Sequence, residues 1–198
     1  MSYAGHPVFL AFYGLWTGVQ FHYVISSKLN ERSETFFLII FFLSLVLVPV
    51  LGLMLLLRKY RPSELASLSG QERRVSLLVM TVLYFFMAFS FNALFIEPIL
   101  RVYLLSIGVC TAVGFVITRY RNVSLHMLAW GGITPYLIVL SGYSVVNMDL
   151  VVVGSVVLAG LIGVSRLALN AHRPSELYLG YSAGFLATAL CYLLYYGF

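Results

Sequence analysis

Three stretches of this chain, Phe36–Leu57, Val75–Phe95 and Leu177–Phe198, contain no charged residue. Each is long enough to cross the hydrocarbon core of a bilayer, which takes about 20 mainly apolar residues. In lipid every backbone N–H and C=O must be paired within its own segment, so each stretch predicts an α-helix. Four weaker stretches follow the same pattern. Val8–Ser26 is interrupted by Gln20 and His22, while Val102–Thr118 and Leu150–Ser165 are short and need their flanks to span. Ser124–Met148 is long enough and carries Pro135 as an expected kink. The pattern predicts an all-α integral membrane protein, a bundle of about seven transmembrane helices, or six if the first lies at the interface. Only 10% of the 198 residues are charged, and the mean hydropathy is +0.96. A soluble domain carries roughly a quarter charged residues. A single polytopic membrane domain over residues 1–198 is therefore expected, with no sizeable soluble part.

The charges sit in short loops. The second, fourth and sixth loops hold Arg58, Lys59, Arg61, Arg73, Arg74, Arg119, Arg121, Arg166 and Arg173, against Lys28, Arg32 and Arg101 in the others. By the positive-inside rule the even loops are cytoplasmic, with the N-terminus inside and the C-terminus outside. Twelve Lys/Arg against seven Asp/Glu give a formal charge of +5. In this setting the excess points to membrane lipids and anionic head groups as partners, and away from nucleic acid. No basic segment followed by a cleavage site opens the chain, so no removable signal peptide is expected. Cys110 and Cys191 fall inside apolar stretches and read as small hydrophobes rather than a disulfide.

Small residues recur at helix-contact spacing: Gly180 and Gly184, Ser155 and Ala159, and the pair Gly131–Gly132. Bundle packing is the expected role of all of them. The string Arg-Pro-Ser-Glu-Leu occurs twice, at Arg61–Leu65 and Arg173–Leu177. A shared helix-start signal, Pro at the first position and Glu two later, explains both copies without a duplication. His6 and His22 carry no constellation and read as structural, while Trp16, Trp130 and the tyrosines fit an aromatic belt or bundle core.

Two polar clusters stand out, both at helix mouths on the even-loop face. One is Arg121-Asn122-Val123-Ser124-Leu125-His126. The other runs from Ser165-Arg166 to Asn170-Ala171-His172-Arg173-Pro174-Ser175-Glu176, placing Glu176 one helical turn after His172 and within reach of its ring. Ser-Arg, five residues, His, three residues and an acid resembles the third motif of the type 2 phosphatidic acid phosphatase superfamily. The segment Val123–His126 stands where that superfamily has Pro-Ser-Gly-His. The resemblance covers roughly the C-terminal 80 residues, with a phosphatase-like core at about 75–198. The chain is also similar to bacterial membrane proteins of that superfamily with a Ser-x-His…Gly-Gly…Arg…His pattern, which implies the bacterial inner (cytoplasmic) membrane.

The resemblance implies a site and a mechanism. His172 would attack phosphorus to form a phosphohistidine, with Glu176 orienting its ring and His126 protonating the leaving oxygen. Arg166, Ser124, Arg121 and, as the nearest stand-ins for a missing first motif, Arg73 and Arg74 would hold the phosphate oxygens. No metal and no other cofactor is called for. The departures are specific. The superfamily's first motif, Lys then six residues then Arg-Pro, is not present; Lys59 with Arg61-Pro62 lacks the spacing. Valine and leucine replace the Pro and Gly of the second motif, and Glu176 is one methylene longer than the usual Asp. Two functions therefore stay open: a hydrolase of a lipid phosphate or polyprenyl diphosphate, or a non-catalytic protein of that fold serving as a lipid binder or a subunit of a larger membrane complex. Arg73 and Arg74 are the discriminating residues between them. A transporter fits poorly, since no paired broken helices are evident.

Overall fold

In the computed structural model, residues 7–22, 25, 30–56, 70–92 and 97–197 are described, and every regular element among them is helical. Helix α1 spans Pro7–Phe21. Helix α2, Glu31–Phe42, passes through a π-helical turn at Leu43–Leu47 into α3, Val48–Leu56, as one rod. Then follow α4 (Gly70–Asn92), α5 (Pro98–Thr118), α6 (Leu125–Ser141), α7 (Asp149–Ala168) and α8 (Pro174–Tyr196). Five of these elements are long and apolar enough to cross a membrane: the α2–α3 rod, α4, α5, α7 and α8. Helix α6 is apolar but shorter, and α1 has 15 residues. The first copy of the Arg-Pro-Ser-Glu-Leu string, with Arg58 and Lys59, lies outside the described residues, as do His6 and Lys28.

The element bounds follow from local chemistry. The rod begins at Glu31, one turn ahead of the apolar run, because Asn30 and Ser33 form a reciprocal cap. Ser33 N–H donates to Asn30 Oδ1 at 2.8 Å and Asn30 N–H to Ser33 Oγ at 3.0 Å. Gln20 of α1 also reaches this turn, bonding Glu34. The π turn, where Val48 N–H reaches back to the Leu43 carbonyl, sits just ahead of Pro49. Pro49 has no N–H to give the Leu45 carbonyl, and the Tyr84 hydroxyl of α4 donates there at 3.4 Å. Helix α6 stops at Ser141 rather than running to Met148. Residues 142–148 turn instead, and Asn147 Oδ1 accepts the Asp149 N–H at 2.8 Å to start α7.

Helix α6 is the hub. It packs on α8, α7, α1 and α5, while α4 packs on α5 and on the rod. Buried tyrosines tie the hub together, because a hydroxyl in a dry interior must find a partner and the spare lone pairs of helix carbonyls are at hand. Tyr136 of α6 donates to the Gly14 carbonyl at 2.8 Å and Tyr103 of α5 to the Leu10 carbonyl at 3.0 Å, both on α1. Tyr192 of α8 donates to the Ile99 carbonyl of α5 at 2.9 Å. Gly14 and Gly18 of α1 leave room for the Tyr103 and Tyr136 rings, which stack at 4.1 Å.

Candidate functional site

The second polar cluster forms the turn from α7 into α8. Arg166 lies in the last turn of α7, and its carbonyl accepts the Ala171 N–H at 3.0 Å. Asn170 closes the turn with φ 50°, a left-handed conformation that asparagine tolerates. Pro174 then opens α8, and Glu176, two residues on, turns its carboxylate back to the helix start. Its Oε2 lies 2.8 Å from His172 Nδ1 and accepts the Arg173 N–H at 3.4 Å. A carboxylate in the first turn also complements the helix dipole. The side chains of His172 and Glu176 are 9% and 18% exposed. A carboxylate at Nδ1 favours, for the neutral ring, the tautomer with its proton there and a lone pair on Nε2. The helix-start reading of Arg173–Leu177 and the His172–Glu176 contact expected from their spacing both match this geometry.

The first polar cluster starts α6, and the two clusters meet. Ser124 N–H donates to the Glu176 carbonyl at 3.2 Å. Glycines bring the helices that close. A Cβ on Gly180 would come within 2.7 Å of the Ser124 carbonyl; one on Gly184 would overlap the Leu128 carbonyl, and one on Gly131 the Tyr181 carbonyl. Gly132 faces Thr188 and Cys110. The packing role expected for these glycines is therefore met.

Met127, which also lies against Gly180 of α8, faces Gly163 of α7, and Ser155 and Ala159 of α7 are buried. With the helices antiparallel, that register sets Arg166 at the level of Val123 and Ser124. Ser124 is fully buried and stands at the N-cap position, yet its hydroxyl caps nothing. Ser124 Oγ, Arg166 Nε and Trp130 Nε1 are buried polar atoms without a hydrogen-bond partner among the described residues. A buried donor left unmade costs about 1–3 kcal/mol.

The remaining expected residues divide. His126 follows Ser124 into the first turn of α6 and is half-buried. Arg121 is exposed in the loop before α6. Leu125, in the place of the motif glycine, sends its side chain toward Gly114 of α5. Arg73 and Arg74 are half-buried near the start of α4. Among the described residues no hydrogen bond or ion pair joins either of them to His126 or His172. Helix α4 packs chiefly on α5, and also on the rod. His22, read as structural, stacks on Tyr143 at a ring distance of 5.7 Å and accepts the Ile25 N–H at 3.4 Å. Among the described residues no group of three His, Cys, Asp or Glu side chains is placed to hold a metal. An open apolar groove of 380 Å³, lined by Phe85, Val109, Ala112, Val113, Val116 and Ile117, involves none of these polar residues.

Two features were not foreseen from the sequence: the amide-to-carbonyl link between Ser124 and Glu176, and the unpartnered indole of Trp130. A tryptophan one turn after a polar helix start was the available signal for the second. No protein-family profile matches the chain, and no curated protein or solved structure is significantly similar to it.

Proposed function

We propose that this chain is a membrane phosphatase-like protein that hydrolyses a lipid phosphate or polyprenyl diphosphate through a phosphohistidine. In this reading it crosses the bacterial inner membrane about seven times, N-terminus inside, with α1 and α6 completing the spans. The observation that carries the reading is a single linkage. Glu176 holds His172 Nδ1 with its carboxylate at 2.8 Å and Ser124 N–H with its carbonyl at 3.2 Å, joining the two polar segments. A histidine with its tautomer set by a carboxylate has a nucleophilic Nε2.

The chemistry balances with the residues at hand. The Nε2 lone pair of His172 attacks phosphorus, the bond from phosphorus to the bridging oxygen breaks, and His126 gives that oxygen its proton. Water then attacks the phosphohistidine and passes a proton to His126. The P–N bond breaks, and inorganic phosphate leaves. Arg166, the Ser124 hydroxyl and the first amides of α6 are the donors for the phosphoryl oxygens.

A second reading, a non-catalytic lipid binder or accessory subunit, draws on two observations. The Ser124 amide is spent on Glu176, and among the described residues no hydrogen bond or ion pair joins Arg73 or Arg74 to His172. Phosphate release from a panel of lipid phosphates and diphosphates separates the two. The purified protein is expected to turn over at least one of them, and His172→Ala, folded to the same extent, to lose that turnover by ~10³-fold or more. An acid-labile phosphoryl label on the wild type, missing from the variant, would accompany it. Equal release by both proteins on every substrate leaves the binder reading.

A further inference from the structure

The proposed phosphoryl-transfer site leaves Arg73 and Arg74 without a task, and helix register shows what else stands beside them. Helices α4 and α5 run antiparallel. A Cβ on Gly108 would stand 3.0 Å from the Phe85 ring, and one on Gly114 would stand 3.7 Å from Leu77. Carrying that register one turn further sets Arg73 and Arg74 level with residues 117–120, at the even-loop end of both helices. Arg74 precedes Phe85 by 11 residues, three helical turns, and so shares its face about 16 Å away. On α5, Arg119 follows Ala112 by two turns and Tyr120 follows Val116 by one. Arg119 keeps helical dihedrals, φ −68° and ψ −31°, so both residues continue that face.

This shared face holds the apolar groove of 380 Å³. Val109, Ala112, Val113, Val116 and Ile117 of α5 line about 12 Å of its length. Phe85, lying over Gly108, closes its inner end. The hydrocarbon of one leaflet is about 15 Å thick, so the groove runs nearly the depth of a leaflet. At the even-loop end the charge is one-sided. Arg73 and Arg74 are half-buried, Arg119 is exposed, and Glu72 is the one acidic residue of α4. A face that is apolar through one leaflet and cationic at the head-group level fits an acyl chain beneath a phosphate. An uncharged partner helix would leave three guanidinium groups unmatched, and a free phosphate would leave the groove unfilled.

We propose that α4 and α5 hold a membrane phospholipid with an anionic phosphodiester head group. One chain lies along the groove, and the phosphate sits among Arg73, Arg74 and Arg119. A phosphodiester is neither the phosphomonoester nor the diphosphate that the hydrolase reading consumes. This lipid is a bound companion of the protein, and its site stands or falls independently of that reading.

The test titrates phosphatidylglycerol and phosphatidylcholine with identical chains into the protein in detergent, counting bound lipid by native mass spectrometry. Every form carries His172→Ala, so turnover plays no part. Phosphatidylglycerol is expected to bind about tenfold more tightly than phosphatidylcholine, or better. The Arg73→Gln/Arg74→Gln pair should weaken it roughly 25-fold, about fivefold per arginine, and leave phosphatidylcholine unchanged. Arg173→Gln removes a charge from the same face away from the groove and should change it less than about twofold. Ala112→Phe fills the groove and should weaken both lipids about tenfold, with Val116→Trp as a second filler should the first not fold. Glycerophosphoglycerol, the same head group without chains, should not compete. Equal binding of the two lipids, or an equal loss from Arg173→Gln, overturns the proposal. So does phosphatidylglycerol binding indifferent to both fillers, which would leave only attraction to a charged surface. A protein that retains no lipid and forms a dimer split by the fillers would put a second copy in the groove instead.

Discussion

Along α8, helix α6 is met backbone to backbone: Gly180, Gly184 and Gly131 each stand where a Cβ would strike the opposite main chain. Along α7 the same helix is met by side chains, Met127 against Gly163, with Ser155 and Ala159 buried on the α7 side. The polar groups divide in the same way. On the α8 side they are paired, His172 with Glu176 and Ser124 N–H with the Glu176 carbonyl. Three buried atoms, Ser124 Oγ and Trp130 Nε1 of α6 and Arg166 Nε of α7, have no partner among the described residues. Helix α7 is also the least enclosed of the five long helices, with 17% of its span buried against 33% for α8. A rigid seam fixes the geometry of a nucleophile, and a looser seam lined with unmade donors leaves work for a ligand. Under the proposed phosphoryl-transfer reading, positioning falls to α8 and recognition to α7.

The sharpest way to break the comparison is to thicken each seam. Gly184→Leu would drive a side chain into the Leu128 carbonyl, and neither main chain can give way without the two helices parting. Overpacking a core costs about 1–3 kcal/mol, and contact with backbone puts this case at the upper end or beyond. The unfolding midpoint in detergent is expected to fall by roughly 10 °C, if a folded species survives at all. Gly160 of α7 has open space within 4 Å of a built Cβ. Gly160→Leu is expected to leave the midpoint within about 2 °C, since a leucine there meets lipid and glycine is the poorer helix former. Equal losses from both substitutions would mean that the two seams are not built differently.

Much of the α8 seam was legible in the sequence, because glycine spacing and a His–Glu pair four apart are local patterns. The helices themselves were legible too, since uncharged runs admit only one paired backbone in lipid. What escaped was contact between distant segments. Nothing local to Val123–His126 shows that its serine amide ends on the Glu176 carbonyl. Nothing near Arg73 or Arg74 shows that their helix packs on α5. The tyrosine hydroxyls were invisible for the same reason: Tyr136 and Gly14 are bonded at 2.8 Å across most of the chain. The π turn follows from Pro49, yet its stabilising donor, Tyr84, comes from a different helix.

A second, more moderate substitution separates positioning from packing within the α8 seam. Glu176→Gln keeps the shape of the side chain and removes its charge. The amide can then present N–H to His172 Nδ1 and turn the ring to the tautomer with its proton on Nε2, where the lone pair is needed. Turnover of a lipid phosphate is expected to drop by about 10²- to 10⁴-fold, the range spanned by loss of an orienting carboxylate. KM should move little, because the carboxylate does not touch the substrate. Stability should fall by only about 1 kcal/mol, the worth of one hydrogen bond to a charged group at a helix start. A large rise in KM with kcat preserved would place Glu176 in recognition instead and blur the division between the seams.

The smallest effect is the most telling, because its sign differs between the two properties measured. Ser124 is fully buried, caps no amide, and holds a hydroxyl without a partner. An ordinary N-cap serine stabilises its helix, and its replacement by alanine costs roughly 1 kcal/mol. Here no cap bond exists to be lost, and removing the hydroxyl relieves an unmet buried group. Ser124→Ala is therefore expected to leave stability unchanged or to raise it by up to ~1 kcal/mol, read from the unfolding midpoint without lipid. Under the proposed reading the same change takes a donor from the phosphate, so KM for a lipid phosphate should rise about tenfold, a hydrogen bond to a charged group being worth somewhat more than a neutral one. A protein that keeps an unpaired hydroxyl in its interior gives up stability for it, and the lost affinity in the variant would show what the group is kept for. If stability fell and KM stayed level, Ser124 would be a structural residue after all, and the α7 seam would be no more than a looser version of the α8 seam.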